Sequence, residues 1–368
     1  MSSSNRLESL DGLRGIAAVV VMLYHLSLVA RPFLDTGREG DAWWWLTETP
    51  LKVFTAGTEA VLVFFVLSGV VVALPALRSG FGWAAYYVSR PLRLYLPVWG
   101  SLAFAALLVA VVPRDVASVT EGSWLDDASA HTLSLSRLLG EATLLRASYD
   151  LNNVLWSLRW EVVFSLCLPL FIAVGVLAKR YWVLAAALAT ALTVTGRLTG
   201  IDALVYLPVF FLGVLVAVRM PDLLDWASRR SNRTWASLAT GSLALLIASW
   251  LFRPLESVIG AHVLWGLAAV GAVGLIVLAV GSPAVSGMLS APVPRWLGRV
   301  SFSLYLVQAP IIGTLGFALG DRHWPLIVAL GIPACILAAW LFNLAIERPS
   351  HALARRIKNS RRLSSIAR

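Results

Sequence analysis

Long apolar stretches separated by short polar links set the pattern of this chain. The stretches cover 14–31, 58–77, 94–112, 155–178, 181–197, 203–218, 235–252, 257–280, 300–320 and 324–346. Each approaches the roughly 20 apolar residues that a helix needs to cross a bilayer. Together they predict an all-α, polytopic membrane helical bundle of about ten transmembrane helices. The stretch 257–294 holds no Asp, Glu, Lys or Arg, which leaves room for a span plus a re-entrant piece. Between the runs, the longest polar segments are 32–57 and 113–154 on one side and 78–93 and 219–234 on the other. The first carries "DAWWWL", whose tryptophans suit the membrane–water interface; in the second, "EGSWLDDASAH" reads as loop. With no repeat of fixed period and no soluble domain, the organisation is one membrane domain, 1–350, and a basic tail, 351–368.

Composition supports the membrane assignment and charge supplies an orientation. Of 368 residues, 58% are hydrophobic and only 14% charged, with a mean hydropathy of +0.78. A soluble domain of this length carries about 25% charged residues. If the termini are cytoplasmic and the sides alternate, inside segments hold 20 of the 30 Lys and Arg residues and five acids (Glu8, Asp11, Asp222, Asp225, Glu347). Such a bias predicts both termini inside a plasma (inner) membrane. The net charge of +10 then faces anionic lipid headgroups and needs no nucleic acid, and the tail "RRIKNSRRLSSIAR" reads as lipid-facing. The first span carries Glu8 and Asp11 ahead of it and no small-residue cleavage site after it, unlike a removed signal. Cys167 and Cys335 both fall in predicted spans and read as core packers; two isolated cysteines make no metal site.

The polar residues inside the runs carry the candidate chemistry. In "DGLRGIAAVVVMLYHL", Arg14 and His25 are eleven positions apart. On an α-helix they share one face, roughly 16 Å apart along the axis. Arg14 sits at the inner boundary and can snorkel to headgroups; His25 lies deep, where an ionisable group faces a cavity or a partner. "NNVLWSLRWEVVF" offers Glu161, which can hold the imidazole in one tautomer, or form a buried pair that only fixes register, or pair with Arg159. "EAVLVFFVLSG" carries Glu59 and Ser68 into the second span, where Ser68-Gly69 points to close helix packing before nucleophilic chemistry. "SRPLRLYLP" places Arg90 and Arg93 on one face, able to grip phosphates or simply to anchor the inner boundary. The G-x-S-x-G elbow and the P-loop are absent, which removes hydrolase-elbow and NTP-driven chemistry.

Taken in order, these segments resemble the acyltransferase 3 family of integral membrane proteins. "LDGLRGIAAVVVMLYH" is similar to its Arg-x10-His signature, and "VFFVLSG" to its second-helix motif. "SRPLRLYLP" resembles its Arg-x-x-Arg segment, and "LWSLRWEVVF" its Trp-Ser-Leu-x-x-Glu stretch. "YLPVFFLGVLVA" resembles its Phe-x-x-Gly helix, and "LGRVSFSLYLVQAP" with "IERPS" its closing pair. The resemblance covers residues 7 to about 350. It implies transfer of an acyl group, usually acetyl, from cytoplasmic acyl-CoA to a hydroxyl compound, with no permanently bound cofactor and no metal. By the same resemblance His25 is the catalytic base, Glu161 orients it or the acceptor, and Arg14, Arg90 and Arg93 serve the donor. Trp156, Ser157, Arg159 and Gln308 fall to the acceptor side. Larger relatives add an extracytoplasmic SGNH domain, which this chain is expected to lack. Gln308 stands where many relatives have histidine, and "RW" precedes Glu161 where smaller residues are expected.

The leading expectation is a bacterial membrane O-acetyltransferase acting on a carbohydrate, a glycolipid or a macrolide-type acceptor. His25 takes the hydroxyl proton, either for direct transfer or by way of an acyl-histidine. The rival from another class is a transporter of lipid-linked sugar or polyketide with His25 and Glu161 as proton relay. A non-catalytic scaffold is disfavoured by the intramembrane charges.

Overall fold

The computed structural model describes residues 3–145, 149–253 and 257–366, with side chains from Glu8 to Ile357 apart from 146–148, 254–256 and 258. The side chains of the basic tail beyond Ile357 lie outside the described residues. Among those described, every long element is helical and no strand forms. The long helices are α1 (Ser3–Leu34), α2 (Gly57–Ala76), α3 (Trp83–Val111), α4 (Leu155–Leu166), α5 (Leu168–Leu177), α6 (Trp182–Thr199), α7 (Asp202–Val218), α8 (Asn232–Leu251), α9 (Val258–Gly281), α10 (Pro292–Leu319), α11 (Trp324–Phe342) and α12 (Arg348–Ile366).

Eight of the described helices are long and apolar enough to cross a membrane, nine if the bent pair Asp202–Val218 and Met220–Ser228 counts as one span. The expected ten is corrected by the run 155–178. Pro169 has no N–H to give the carbonyl of Ser165, and the Leu170 N–H turns to the Cys167 carbonyl at 3.0 Å. The carbonyls of Ser165 and Leu166 accept instead from the hydroxyls of Tyr86 (3.0 Å) and Tyr87 (2.9 Å). α4 therefore stops after 12 residues, and α5 continues through a tight turn into α6 as one candidate span, Leu168–Thr199. Cys167 at this break is exposed, so of the two cysteines only Cys335 packs in a core.

The chain divides into two compact units. The first comprises residues 1–21, 37–81 and 167–299. Here Gly69 of α2 meets Gly213 of α7: a methyl on either would run into the Phe210 or Val66 carbonyl. Such close backbone approach is how membrane helices pack without a hydrophobic driving force between them, and it gives Ser68-Gly69 its packing role. Gly12 and Gly15 of α1 lie in the same way against Leu289 and Gly298. The Trp motif forms the short helix Ala42–Thr47, capped by Asp41, with Trp43 buried and Trp45 exposed. Glu59 is buried and accepts from Trp250 Nε1 at 3.0 Å, while the Lys52 ammonium lies 3.7 Å above the same indole.

The second unit comprises residues 22–36, 82–166 and 300–368. α12 packs along α3, and Gly100 leaves space for Ile346, whose Cγ2 a β-carbon would approach to 2.9 Å. α11 passes into α12 through a single π-turn, Asn343–Glu347. The Glu347 carboxylate there is buried and takes hydrogen bonds from Ser303 and Asn343.

Candidate functional site

His25 lies within the second unit, and its partners come from segments far away in sequence. The ring is 7% exposed and its Nδ1 stands 2.9 Å from Gln308 Oε1 on α10. Trp124 stacks on it with ring centroids 4.8 Å apart and planes 16° from parallel. With the amide oxygen facing the ring, Nδ1 carries the proton and donates it to Gln308. Nε2 is then the basic nitrogen. Gln308 is fully buried and its Nε2 has no hydrogen-bond partner among the described residues. An amide with one end on the imidazole and a free N–H₂ beside it can donate to an oxygen brought against the histidine.

Local structure holds this arrangement in place. Pro310 interrupts the α10 ladder and leaves the Leu306 carbonyl without its intrahelical donor. Asn152 Nδ2 supplies one at 2.9 Å and also donates to Ser101 Oγ at 3.2 Å. The Asn152 backbone is fixed in turn by Glu141, whose carboxylate accepts the N–H groups of Asp150, Leu151 and Asn152. Burial pushes the Glu141 carboxyl up, against the pull of those three bonds. In the first turn of α4, Ser157 meets the Tyr305 hydroxyl at 2.6 Å. Trp124 is placed by the short helix Trp124–Asp127, capped by Ser123, so the stretch that reads as loop is ordered at the point where it meets His25.

The expected pairing of Glu161 with His25 is replaced by another. Glu161 Oε1 lies 2.6 Å from Arg90 Nη2, and Arg90 Nε donates to Ser165 Oγ at 3.2 Å. Arg159 lies over the Trp160 ring at 5.1 Å. Arg93, one turn along α3 from Arg90, is exposed. Trp156 is half-buried on α4. The structure thus brings His25 and Gln308 together, and Arg90 and Glu161 together, within one unit. Arg14 belongs to the other unit, where Nη2 donates to the Gly298 carbonyl at 3.1 Å and approaches Asp11 at 3.4 Å.

Trp124, Asn152 and Tyr305 escaped the sequence reading. Each is an ordinary residue in an ordinary run, and only the Pro310 break hints that α10 needs an outside donor.

Comparison with known proteins follows the same outline. The acyltransferase 3 family model, described as an acyltransferase domain, matches residues 7–344. The chain is 25% identical over 413 aligned positions to the O-acetyltransferase PaAT-1 of Phomopsis amygdali, covering 92% of this chain and 80% of that one. It is 27% identical over 376 positions to the acyltransferase MdmB of Streptomyces mycarofaciens, covering 94% and 91%. No solved structure matches.

Proposed function

The chain belongs to the acyltransferase 3 family, and from that premise we propose a membrane O-acyltransferase moving an acetyl group from acetyl-CoA to an acceptor hydroxyl, with His25 as general base. The observation that carries this reading is the buried His25–Gln308 bond, which leaves imidazole Nε2 unprotonated. In the proposed step Nε2 takes the acceptor's proton as its oxygen attacks the thioester carbonyl. The tetrahedral oxyanion accepts from Gln308 Nε2. On collapse the C–S bond breaks, and the imidazolium returns its proton to the departing thiolate. The acetyl ester and free CoA leave, and the enzyme is restored.

Donor binding falls to Arg93 and, on the family resemblance, to Arg14. Arg90 is already bonded to Glu161 and Ser165, so its contribution to the donor passes through a neutralised pair. Glu161 accordingly positions Arg90. Trp156, Ser157 and Arg159 remain proposed for the acceptor, although the Ser157 hydroxyl is engaged by Tyr305. The Lys/Arg bias supports cytoplasmic termini, and a plasma-membrane location is proposed with them.

The test is acetyl transfer from radiolabelled acetyl-CoA by purified protein to a panel of carbohydrates, glycolipids and macrolide-type compounds. His25→Ala should lower turnover by about 10²–10⁴ while CoA still binds. Wild-type turnover in a folded His25→Ala protein overturns the assignment.

A further inference from the structure

General-base catalysis turns the His25 imidazole into a cation, and the structure places no counter-ion beside it. The carboxylate expected there, Glu161, is bonded to Arg90. Among the described residues no charged side chain acts on the His25 ring. Its neighbours are the neutral amide of Gln308, the Tyr24 ring on its own helix at 5.5 Å and the Trp124 indole at 4.8 Å. A charge buried this deeply without compensation is costly. Something other than a carboxylate has to meet it.

The indole has the geometry to do so. Trp124 lies face to face with the imidazole, 16° from parallel. The negative face of an aromatic ring attracts a cation held within about 6 Å of its centroid, and tryptophan does this most strongly. Stacking covers a face of the imidazole and not its edge, where Nδ1 donates to Gln308 and Nε2 receives the proton. The segment that carries Trp124 is tied down on both sides of it. Leu125, 1% exposed, fills the notch at Gly316 of α10, where a β-carbon would stand 2.6 Å from its Cδ1. Asp321, just past α10, accepts the Thr120 N–H at 2.6 Å. Ser123 caps the short helix, and Asp126 takes the Gly122 N–H. All of these residues belong to the second unit. The charged groups around the segment are turned to other partners or to the surface. Asp126 also faces His131 at 3.4 Å, Arg114 donates to Thr314, and Glu121 and Asp127 are exposed.

We propose that Trp124 is a further catalytic residue of the acetyl transfer, its indole face standing in for the missing carboxylate by stabilising the His25 imidazolium. The proposal rests on His25 being the general base. As Nε2 takes the acceptor's proton, the positive charge spreads over a ring already lying on the indole. When that proton passes to the departing thiolate, the stack is left as it began. No bond is made or broken at Trp124.

Fluorination of the indole tests this, because it drains the negative face while barely changing the size of the ring. Tryptophan and its 5-fluoro, 5,7-difluoro and 5,6,7-trifluoro forms are placed at position 124 by nonsense suppression, in a chain carrying ¹³C-labelled histidine for NMR. His25→Ala identifies the His25 signal among the five histidines. The proton affinity of His25, read with neither donor nor acceptor present, should fall stepwise along the series by about tenfold to thirtyfold. His262, in the first unit, should titrate alike in all four forms. Trp124→Phe, which keeps a weaker face, should lower the affinity in part. A flat series overturns the proposal and leaves Trp124 as packing. In the acetyl-transfer assay, kcat should fall about threefold to tenfold across the same forms with the acetyl-CoA KM unchanged. A stepped titration beside a flat kcat overturns the catalytic role while acetyl transfer stands. A stepped titration in a chain that acetylates no acceptor overturns the acyltransferase reading, and the catalytic role with it, while the contact between indole and imidazolium stands.

Discussion

Replacing Gln308 by leucine removes the hydrogen bond that holds His25 among the described residues, while keeping a side chain of similar size. Gln308 is fully buried and His25 is 7% exposed, so water cannot replace the lost acceptor. An unsatisfied buried N–H costs about 1–3 kcal/mol, which alone predicts a tenfold to hundredfold fall as the ring leaves its productive orientation. The substitution also deletes the amide donor proposed for the oxyanion, and losing such a donor costs about 10²–10³ in kcat. The two effects concern one side chain and need not multiply. A fall of about 10²–10³ in kcat/KM, with the acetyl-CoA KM little changed, is expected. Gln308→Glu separates them, since a carboxylate still accepts from Nδ1–H but cannot donate. It should retain the orienting part and lose the oxyanion part. Acetyl transfer is followed with radiolabelled acetyl-CoA, with size-exclusion chromatography to confirm that each variant is folded. If folded Gln308→Leu transfers acetyl within threefold of wild type, neither contribution exists. The histidine contact would then be structural.

The two arginines of α3 should behave differently. Arg93→Ala should raise the acetyl-CoA KM by roughly ten- to hundredfold, whereas Arg90→Ala should chiefly lower thermal stability by removing the bonds to Glu161 and Ser165; a donor KM unchanged in Arg93→Ala returns that residue to membrane anchoring. Cysteines introduced at Ser134 and Ser228, both exposed, should label from opposite faces of intact membranes, and labelling from one face refutes the proposed orientation. Burial chiefly, against the pull of Glu59, brings Lys52 down from 10.5 to about 8. Between those values the unfolded chain binds the proton that the folded one has released, so stability should rise with pH over this window. The rise should vanish in Lys52→Met; a flat wild-type unfolding midpoint across the window refutes the burial argument.

Much of this architecture was legible because hydropathy is local and additive along a helix. A run such as 58–77 needs only its own residues to partition into lipid, and it forms α2 within a residue of its expected ends. The motifs around Arg14, His25, Arg90 and Glu161 identified the family for the same reason, since each is a short word read in one place. The run 155–178 shows where this logic stops. Its apolar content is sufficient for a span, yet Pro169 breaks the ladder, and the carbonyls it exposes are met by tyrosines 79 positions away.

The sequence by itself therefore determined a helical membrane acyltransferase and offered the residues from which its candidate site is proposed. Tertiary structure alone decided who meets whom. Gln308 reaches His25 across 283 positions, and Arg90 takes the carboxylate expected to serve that histidine. A helix can be apolar enough to insert at any rotation about its axis. Its polar side chains find partners only after contacts such as those at Gly69, Gly213 and Gly100 have set rotation and depth. Those contacts join residues distant along the chain, and no window of sequence contains them.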